Sequence, residues 1–418
     1  MGRESFDVDK TVMELVMNDD VTKKKQLAKK ILDVAHEKGA YPSSIHEFYM
    51  ARGKGEFSGF TVPAINLRSM TYDLARAIFR AAEKNRSGAF VFEIARSEIG
   101  YTNQPPIEFA SMVIAAAIKE SYSGPIFIQG DHFQVNAAKF KENPDKEIEA
   151  LQTLIQDAIS SGFYNIDIDS STLVDPSKPA LKEQQLLNYE VCAKVTQFIR
   201  RIEPKGTKIS VGGEIGEIGR QNSTPEELRA FMAGFEDKTG NLIGMSKISV
   251  QTGTTHGGIV LPNGSIAQIK LDFNTLERLS RIARKEFGLA GAVQHGASTL
   301  PPEAFHKFVE CETAEVHLAT DFQNMIYESE HFPAELKSKM YEWLRVNAAG
   351  EAKQGETKEQ FLYKTRKKAL GPFKKEIMRL PQETRDAIAA ELENKFDFLF
   401  KQLNVVNKRA LVNKYSAQ

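Results

Sequence analysis

The stretch that decides the fold is Gly253-Thr254-Thr255-His256-Gly257-Gly258, and Gln294-His295-Gly296-Ala297-Ser298 repeats its pattern. Each follows a short apolar or β-branched run and ends it in a His-Gly pair. A third such run ends in Gly130-Asp131-His132. A His at the carboxyl end of a buried strand, with a Gly that lets the backbone pass close to a ligand, is typical of a metal ligand in a barrel enzyme. Three such histidines predict one zinc site.

Similar short runs alternate with helical patterns from Gly59 onward. Strands that alternate with helices indicate βα units and a parallel sheet, and eight units close a (β/α)8 barrel. The sequence therefore predicts an α/β protein with a TIM barrel. The eight predicted strands are residues 60–66, 89–94, 125–129, 164–168, 208–211, 247–251, 291–294 and 314–318.

Helical segments flank the predicted barrel on both sides. We expect an N-terminal helical segment at residues 1–55, a catalytic barrel at 56–329 and a C-terminal helical extension at 330–418. The extension is expected to pack on the barrel or on a partner subunit, and its simplest interpretation is a cap without catalytic contacts. It also offers surface for a homo-oligomer, a dimer or a tetramer.

The composition excludes several classes of partner. Lys and Arg number 55 and Asp and Glu also number 55, so no net charge favours nucleic acid or an anionic membrane. No run approaches the roughly 18 apolar residues of a membrane span, and residues 1–9 do not resemble a signal peptide. The two cysteines, Cys192 and Cys311, form no CxxC motif and are interpreted as buried thiols. Low cysteine use favours a soluble protein of the reducing cytoplasm.

Candidate catalytic residues follow the predicted strands, whose carboxyl ends form one face of a barrel. Three imidazoles, from His132, His256 and His295, with a coordination position left open would describe a catalytic zinc. Glu214 is predicted as a fourth or alternative ligand. Each His alone also fits a hydrogen-bonded structural role, and Glu214 fits equally well a carboxylate paired with Lys or Arg.

Asp131 directly precedes a predicted ligand, so we expect its side chain on the other side of the strand end, as an acid–base group. The alternative is an Asp that caps the following turn. Small residues after the last three strands predict a phosphate site built from backbone N–H groups and hydroxyls, although tight turns would also explain the glycines. These residues are Gly257, Gly258, Gly296, Ser298 and Thr320.

Taken together, these motifs resemble the class II, zinc-dependent fructose-bisphosphate aldolases, a family that includes tagatose-bisphosphate aldolases. The resemblance extends from about residue 60 to residue 321. The matching motifs are Val62-Pro63-Ala64-Ile65-Asn66, Asp131-His132, Ile168-Asp169-Ser170-Ser171, Gly213-Glu214-Ile215-Gly216, the two His-Gly stretches and Ala319-Thr320-Asp321.

The resemblance implies the reversible cleavage of a ketose bisphosphate, with fructose 1,6-bisphosphate as the first candidate. The products would be dihydroxyacetone phosphate and glyceraldehyde 3-phosphate. It implies one or two zinc ions per chain on the predicted ligands, with Asp131 as the base for the C4 hydroxyl, and a monovalent cation near the phosphate. It places substrate or phosphate on Asn66, Asp169, Gly257, Gly296, Ser298, Thr320 and Asp321.

The chain also departs from the family's pattern. His317 stands where the family has an Asn that contacts the enediolate, so His317 is expected either to replace that donor or to indicate a different substrate. Ala95 stands in place of a serine, and Ile259 ends a motif that usually ends in Tyr. Two rival functions remain open, a ketose-phosphate 4-epimerase of the same fold and a non-catalytic aldolase subunit. For the distal phosphate the sequence offers only Arg220 as a candidate.

Overall fold

The computed structural model of the protein describes residues 6–216, 221–253, 261–262 and 271–416. Within them the chain forms nine strands: β1 Ala40–Ser43, β2 Val62–Asn66, β3 Val91–Ala95, β4 Gly124–Gln134, β5 Asn165–Asp169, β6 Ser210–Glu214, β7 Lys247–Val250, β8 Ala292–Gln294 and β9 Glu315–Leu318.

Helices occupy most of the remaining described residues. In chain order they are α1 Val8–Met17, α2 Val21–Glu37, α3 His46–Gly53, α4 Thr71–Asn85, α5 Arg96–Thr102, α6 Pro106–Lys119, α7 Ala137–Glu142, α8 Pro144–Ser160, α9 Leu181–Gln184, α10 Leu186–Ile202, α11 Pro225–Thr239, α12 Phe273–Phe287, α13 His306–Glu310, α14 Thr320–Glu328, α15 Ala334–Asn347, α16 Lys358–Thr365, α17 Lys374–Met378, α18 Gln382–Gln402 and α19 Arg409–Ser416. None of these helices is both long enough and apolar enough to cross a membrane.

Eight parallel strands, β2 to β9, close into a barrel. Each pairs with the next along the chain, and β9 pairs with β2 in the register Val62↔Glu315. The strands are buried along their length because helices cover the outside and side chains fill the inside. All eight strands predicted from the sequence are present, so the prediction of a TIM barrel is confirmed.

The N-terminal segment, predicted as helical at residues 1–55, also contains a strand. Residues Ala40–Ser43 form β1, which pairs in parallel with the first half of β4 in the register Ala40↔Gly124. The second half of β4 pairs instead with β5. The strand β1 was missed because its four residues, which include Pro42, lie between two strong helical patterns.

Helix α3 covers the amino end of the barrel. Its Tyr49 and Arg52 are completely buried. Arg52 donates through Nη2 to the carbonyl oxygen of Thr313, at 3.1 Å, just before β9. The hydroxyl of Tyr49 donates to the carboxylate of Glu315, inside the barrel. The N-terminal segment therefore contributes side chains to the barrel interior.

The two ends of the chain pack on the same part of the barrel. Arg385 of α18 lies 3.0 Å from both carboxylate oxygens of Asp73 on α4, and this ion pair is buried. Near the last described residue, Tyr41 of β1 donates to the carbonyl oxygen of Ser416 at 3.2 Å. Tyr415 donates to Glu56 at 2.6 Å. The C-terminal helices thus contact the first third of the sequence.

Both cysteines are free and buried, as the sequence indicated. Burial raises the pKa of the Cys192 thiol to about 12, and it raises that of Cys311 to the same value. Neither thiol is therefore suited to nucleophilic chemistry.

Candidate active site

The end of β4 has an irregular backbone that determines where two predicted site residues point. The pairing of β4 with β5 shifts register between Gly130 and Phe133. Within this irregularity His132 has φ +39°, which is uncommon for a residue other than Gly. A regular strand would send Asp131 and His132 to opposite faces. Here both line one cavity, with Asp131 Oδ1 3.9 Å from His132 Nε2, so the prediction that they point apart was wrong.

Three side chains at the carboxyl ends of β4, β6 and β8 converge beside Asp131. His132, Glu214 and His295 each offer a ligand atom, and these atoms lie within 4.8 Å of one another. The rings of His132 and His295 have centroids 4.1 Å apart. The Nδ1 atom of His295 lies 3.9 Å from Asp131 Oδ1, and its Nε2 lies 3.0 Å from the hydroxyl oxygen of Ser249. Two imidazoles and one carboxylate are a donor set that fits zinc with an open coordination position.

His256, the remaining predicted ligand, lies outside the described residues, as do Gly257, Gly258, Ile259 and Arg220. A second group of donor atoms within 4.8 Å of one another comprises Asp131, His295 and His317. The cluster therefore also has donor atoms for a second cation next to the first.

Two carboxylates approach the Nδ1 atom of His132. Asp169 Oδ2 is 3.1 Å and Glu214 Oε2 is 3.2 Å from His132 Nδ1. Burial alone would raise the pKa of Asp169, but hydrogen bonds from His132, Ser171 and Gln134 lower it overall. Burial, followed by the charge of Asp169, raises the pKa of Glu214 to about 7. Burial alone would lower the pKa of His132, but the charges of Asp131 and Glu214 raise it well above its ordinary value. This excess of negative charge is typical of a site built for a cation.

A cavity of about 470 Å³ opens in front of the cluster. Of the predicted substrate or phosphate residues, Asn66, Gly296, Ser298 and Thr320 line it, together with Asp131 and His317. Ser298 accepts a hydrogen bond from the backbone N–H of Ala319 at 2.7 Å, which joins the loops after β8 and β9.

Two predicted substrate residues lie away from the cavity wall. Asp169 is buried behind His132, where it orients that imidazole. Asp321 lies in the first turn of α14 and pairs with Lys395 of α18 at 2.8 Å. Thr320 and Asp321 diverge because a helix begins at Thr320 and turns successive side chains to different directions.

The cavity also has a group of basic side chains in its lining, which we call its basic wall. Arg68, Arg96, Lys139 and Lys367 line it, and sequence reasoning missed all four. Arg68 Nε donates to Glu98 at 2.7 Å, and Arg96 Nη1 donates to Glu147 at 2.5 Å. Lys367 belongs to the C-terminal extension, so the extension reaches the cavity, which its interpretation as a cap without catalytic contacts did not include.

Glu93 on β3 lines the cavity and lies against His317. Its Oε2 is 3.0 Å from His317 Nδ1, and its side chain is completely buried. Burial, followed by the charge of Asp131, raises the pKa of Glu93 to about 8. The folded protein therefore holds a proton on Glu93 that the unfolded chain releases near pH 4.5.

This shift predicts a pH-dependent effect of Glu93→Gln on stability. Between the two pKa values folding takes up a proton, so wild-type stability falls as pH rises through this window. Gln mimics the protonated carboxyl, so the variant should not lose stability as the pH rises through this window. We expect thermal unfolding of the variant and wild type to coincide at pH 5. At pH 8.5 we expect the variant to be more stable by roughly 1–3 kcal/mol.

Glu149→Gln, on the exposed face of α8, serves as the control for this measurement and should leave the pH dependence unchanged. Equal stability differences between Glu93→Gln and wild type at both pH values would contradict the assignment of the proton to Glu93.

The family of the chain follows from a comparison with known proteins. The sequence matches the family model described as Fructose-bisphosphate aldolase class-II over residues 53–400. This match covers the barrel and most of the C-terminal helices. The chain belongs to the class II fructose-bisphosphate aldolase family. It is therefore an enzyme, a lyase of the aldehyde-lyase type.

Solved structures share the fold of this class II aldolase. A fructose-bisphosphate aldolase from Campylobacter jejuni has a TM-score of 0.51 and 18% identity, covering 88% of this chain and 96% of that chain. A protein named as a probable tagatose 6 phosphate kinase from Sinorhizobium meliloti 1021 has a TM-score of 0.56 and 16% identity, covering 84% of this chain and 99% of that chain. At these identities the likeness concerns the fold alone. No curated protein matches the sequence.

Proposed function

We propose that this class II aldolase uses zinc to cleave the C3–C4 bond of a ketose bisphosphate, with fructose 1,6-bisphosphate as the leading substrate. The position of Asp131 carries the proposal. Its carboxylate lies 3.9 Å from an imidazole nitrogen of each described histidine ligand and on the cavity wall. A base placed beside a metal site can take the proton of a hydroxyl held there.

Zinc on His132, Glu214 and His295, and on His256 if that residue completes the set, would polarise the substrate carbonyl and stabilise the negative charge that develops on cleavage. The proton transfer, the orientation of the imidazoles and the binding of phosphate are tasks of the protein's own groups. Asp131 takes the proton from the C4 hydroxyl. Asp169 and Ser249 orient the imidazoles of His132 and His295. The loops that contain Gly296, Ser298 and Thr320 offer N–H groups and hydroxyls for the phosphate of the three-carbon fragment.

The size and charge of the cavity support an elongated substrate with two anionic ends. Its volume of about 470 Å³ lies in the range of small-molecule sites. One phosphate would bind the loops after β8 and β9. The basic wall would then hold the other, with Arg68 and Lys367 in the role for which the sequence offered only Arg220.

The test is a coupled assay that detects triose phosphate. Zinc-loaded full-length protein receives fructose 1,6-bisphosphate, with a chelator-treated sample as control, and we expect release only with zinc. Release that continues after chelation would overturn the role of zinc. If no triose phosphate appears, the same samples are analysed for conversion between fructose and tagatose phosphates. A positive result there would identify the 4-epimerase instead.

Lys367 is the more buried of the two lysines in the basic wall. In the described part of the chain it forms no ion pair and lies over the ring of Tyr101, 5.6 Å from its centroid. Burial, followed by the charge of Arg68, lowers its pKa. A phosphate bound beside both cations would relieve this repulsion.

We therefore expect Lys367→Ala to raise KM for a ketose bisphosphate by about 10- to 100-fold, the loss of one charge-assisted hydrogen bond. KM for a ketose 1-phosphate, which lacks the distal phosphate, should hardly change. Lys368→Ala is the matched control, because Lys368 pairs with Glu351 and does not line the cavity. Equal effects of Lys367→Ala on KM for both substrates would show that Lys367 does not bind the distal phosphate.

A further inference from the structure

A column of buried polar side chains runs through the barrel interior to Asp131. At its base, the carboxylate of Glu315 on β9 is completely buried. Its Oε1 accepts from Gln129 Nε2 at 2.9 Å and from the ammonium of Lys247, and its Oε2 accepts from the hydroxyl of Tyr49. Lys247 also donates to Gln129 Oε1 at 2.7 Å. Glu315 therefore cannot rotate without breaking several hydrogen bonds in a region without water-accessible surface.

His317 lies directly above Glu315. The two residues are separated by one position on β9, so both side chains point into the barrel. The Nε2 atom of His317 is 2.7 Å from Glu315 Oε1. Its Nδ1 atom is 3.1 Å from Asp131 Oδ1 and 3.0 Å from Glu93 Oε2. One imidazole thus connects the fixed carboxylate of Glu315 to the proposed catalytic base.

We propose that Glu315 is a positioning residue, which fixes the ring of His317 so that Nδ1 holds the carboxylate of Asp131 in place. Tyr49, Gln129 and Lys247 hold Glu315 in turn. A carboxylate that binds one nitrogen of an imidazole sets the direction of the other nitrogen, as outer-shell carboxylates do for metal-bound histidines. Small displacements of a base from its reactive geometry cost large factors in rate. The inference rests on the proposed function, because it assigns this column a role in the aldol reaction.

Lys247 in this column also pairs with a second carboxylate, Asp167, which provides a matched control variant. Asp167 Oδ2 accepts from Lys247 Nζ at 2.9 Å but lies 3.8 Å from His317 Nε2, beyond hydrogen-bond distance. Asp167→Asn and Glu315→Gln therefore remove the same charge next to the same lysine. Only the second changes the group that holds His317.

The experiment compares these variants in the zinc-loaded full-length protein. For Glu315→Gln we expect kcat to fall about 10- to 100-fold, with KM and zinc content little changed. For Asp167→Asn we expect a much smaller fall in kcat. Because Glu315→Gln leaves Lys247 buried with fewer partners, the double variant Glu315→Gln/Lys247→Met removes both charges and should show the same fall in kcat. Unchanged kcat in folded variants, or a rise in KM alone, would overturn the proposal.

A second readout needs no substrate. In histidine NMR spectra of the zinc-loaded protein, the signals of His317 should shift much more in Glu315→Gln than in Asp167→Asn, because only Glu315 is within hydrogen-bond distance of the ring. Signals of His317 that do not respond to Glu315→Gln would overturn the positioning role, whatever the enzyme cleaves. If wild type releases no triose phosphate but His317 responds as expected, the proposed substrate fails and the positioning of His317 by Glu315 stands.

Discussion

Asp131→Asn is expected to lower kcat by about 10²- to 10⁴-fold while zinc stays bound. Asn has the same shape as Asp and can still meet His317 Nδ1, which lies 3.1 Å from Asp131 Oδ1. It cannot accept a proton at neutral pH. The loss should therefore appear in kcat rather than in KM, because the variant removes a step of the reaction and leaves the cavity intact.

The measurement is steady-state kinetics of triose phosphate release, together with the zinc content of each sample. Asp237→Asn, on the exposed part of α11, is the control and should behave like wild type. If Asp131→Asn keeps most of its kcat, Asp131 is not the base, and another carboxylate on the cavity wall, Glu93, would have to be tested.

The second large effect is expected for His295→Ala. His295 belongs to both groups of donor atoms in the cluster, so its loss removes an imidazole from either arrangement. We expect zinc content to fall well below that of wild type after dialysis, and activity to fall by at least about 10³-fold. Ser249→Ala, which removes only the hydroxyl beside His295 Nε2, should cost about 10- to 100-fold.

If His295 is a ligand and Ser249 orients it, His295→Ala must lose more activity than Ser249→Ala. His36→Ala, on the exposed face of α2, controls for the loss of a histidine as such. Full zinc content in His295→Ala would contradict its assignment as a ligand, because the remaining donors would then suffice.

The sequence predicted the barrel because strands buried on both faces are short runs rich in apolar and β-branched residues, and the eight runs were separated by clear helical patterns. It also predicted which residues gather at the carboxyl ends of the strands, and the structure brings His132, Glu214 and His295 together. It could not predict that Asp131 and His132 face the same cavity. Side-chain alternation assumes a regular strand, whereas β4 shifts register at Gly130 to Phe133.

The missed residues have a different cause. Lys367 is far from the barrel in sequence, and only the packing of the extension brings it to the cavity. Glu315 and Lys247 lie inside strands, where a charge has no local pattern to mark its partner. The one indication in the sequence was that each is a charged residue within a run that is otherwise typical of a buried strand. Glu315 also lies two positions before His317, on the same face of β9.

The packing of the last helices against the first third of the chain has a consequence for biosynthesis. Asp73 on α4 meets its partner Arg385 only after 312 further residues have been added, and Tyr41 meets Ser416 after 375. During translation the first strands of the barrel therefore lack these contacts until Arg385 and Ser416 have left the ribosome. Nascent chains that stop short of α18 would leave Asp73 without Arg385 and the surface of α4 uncovered. Such fragments would be substrates for chaperones or proteases.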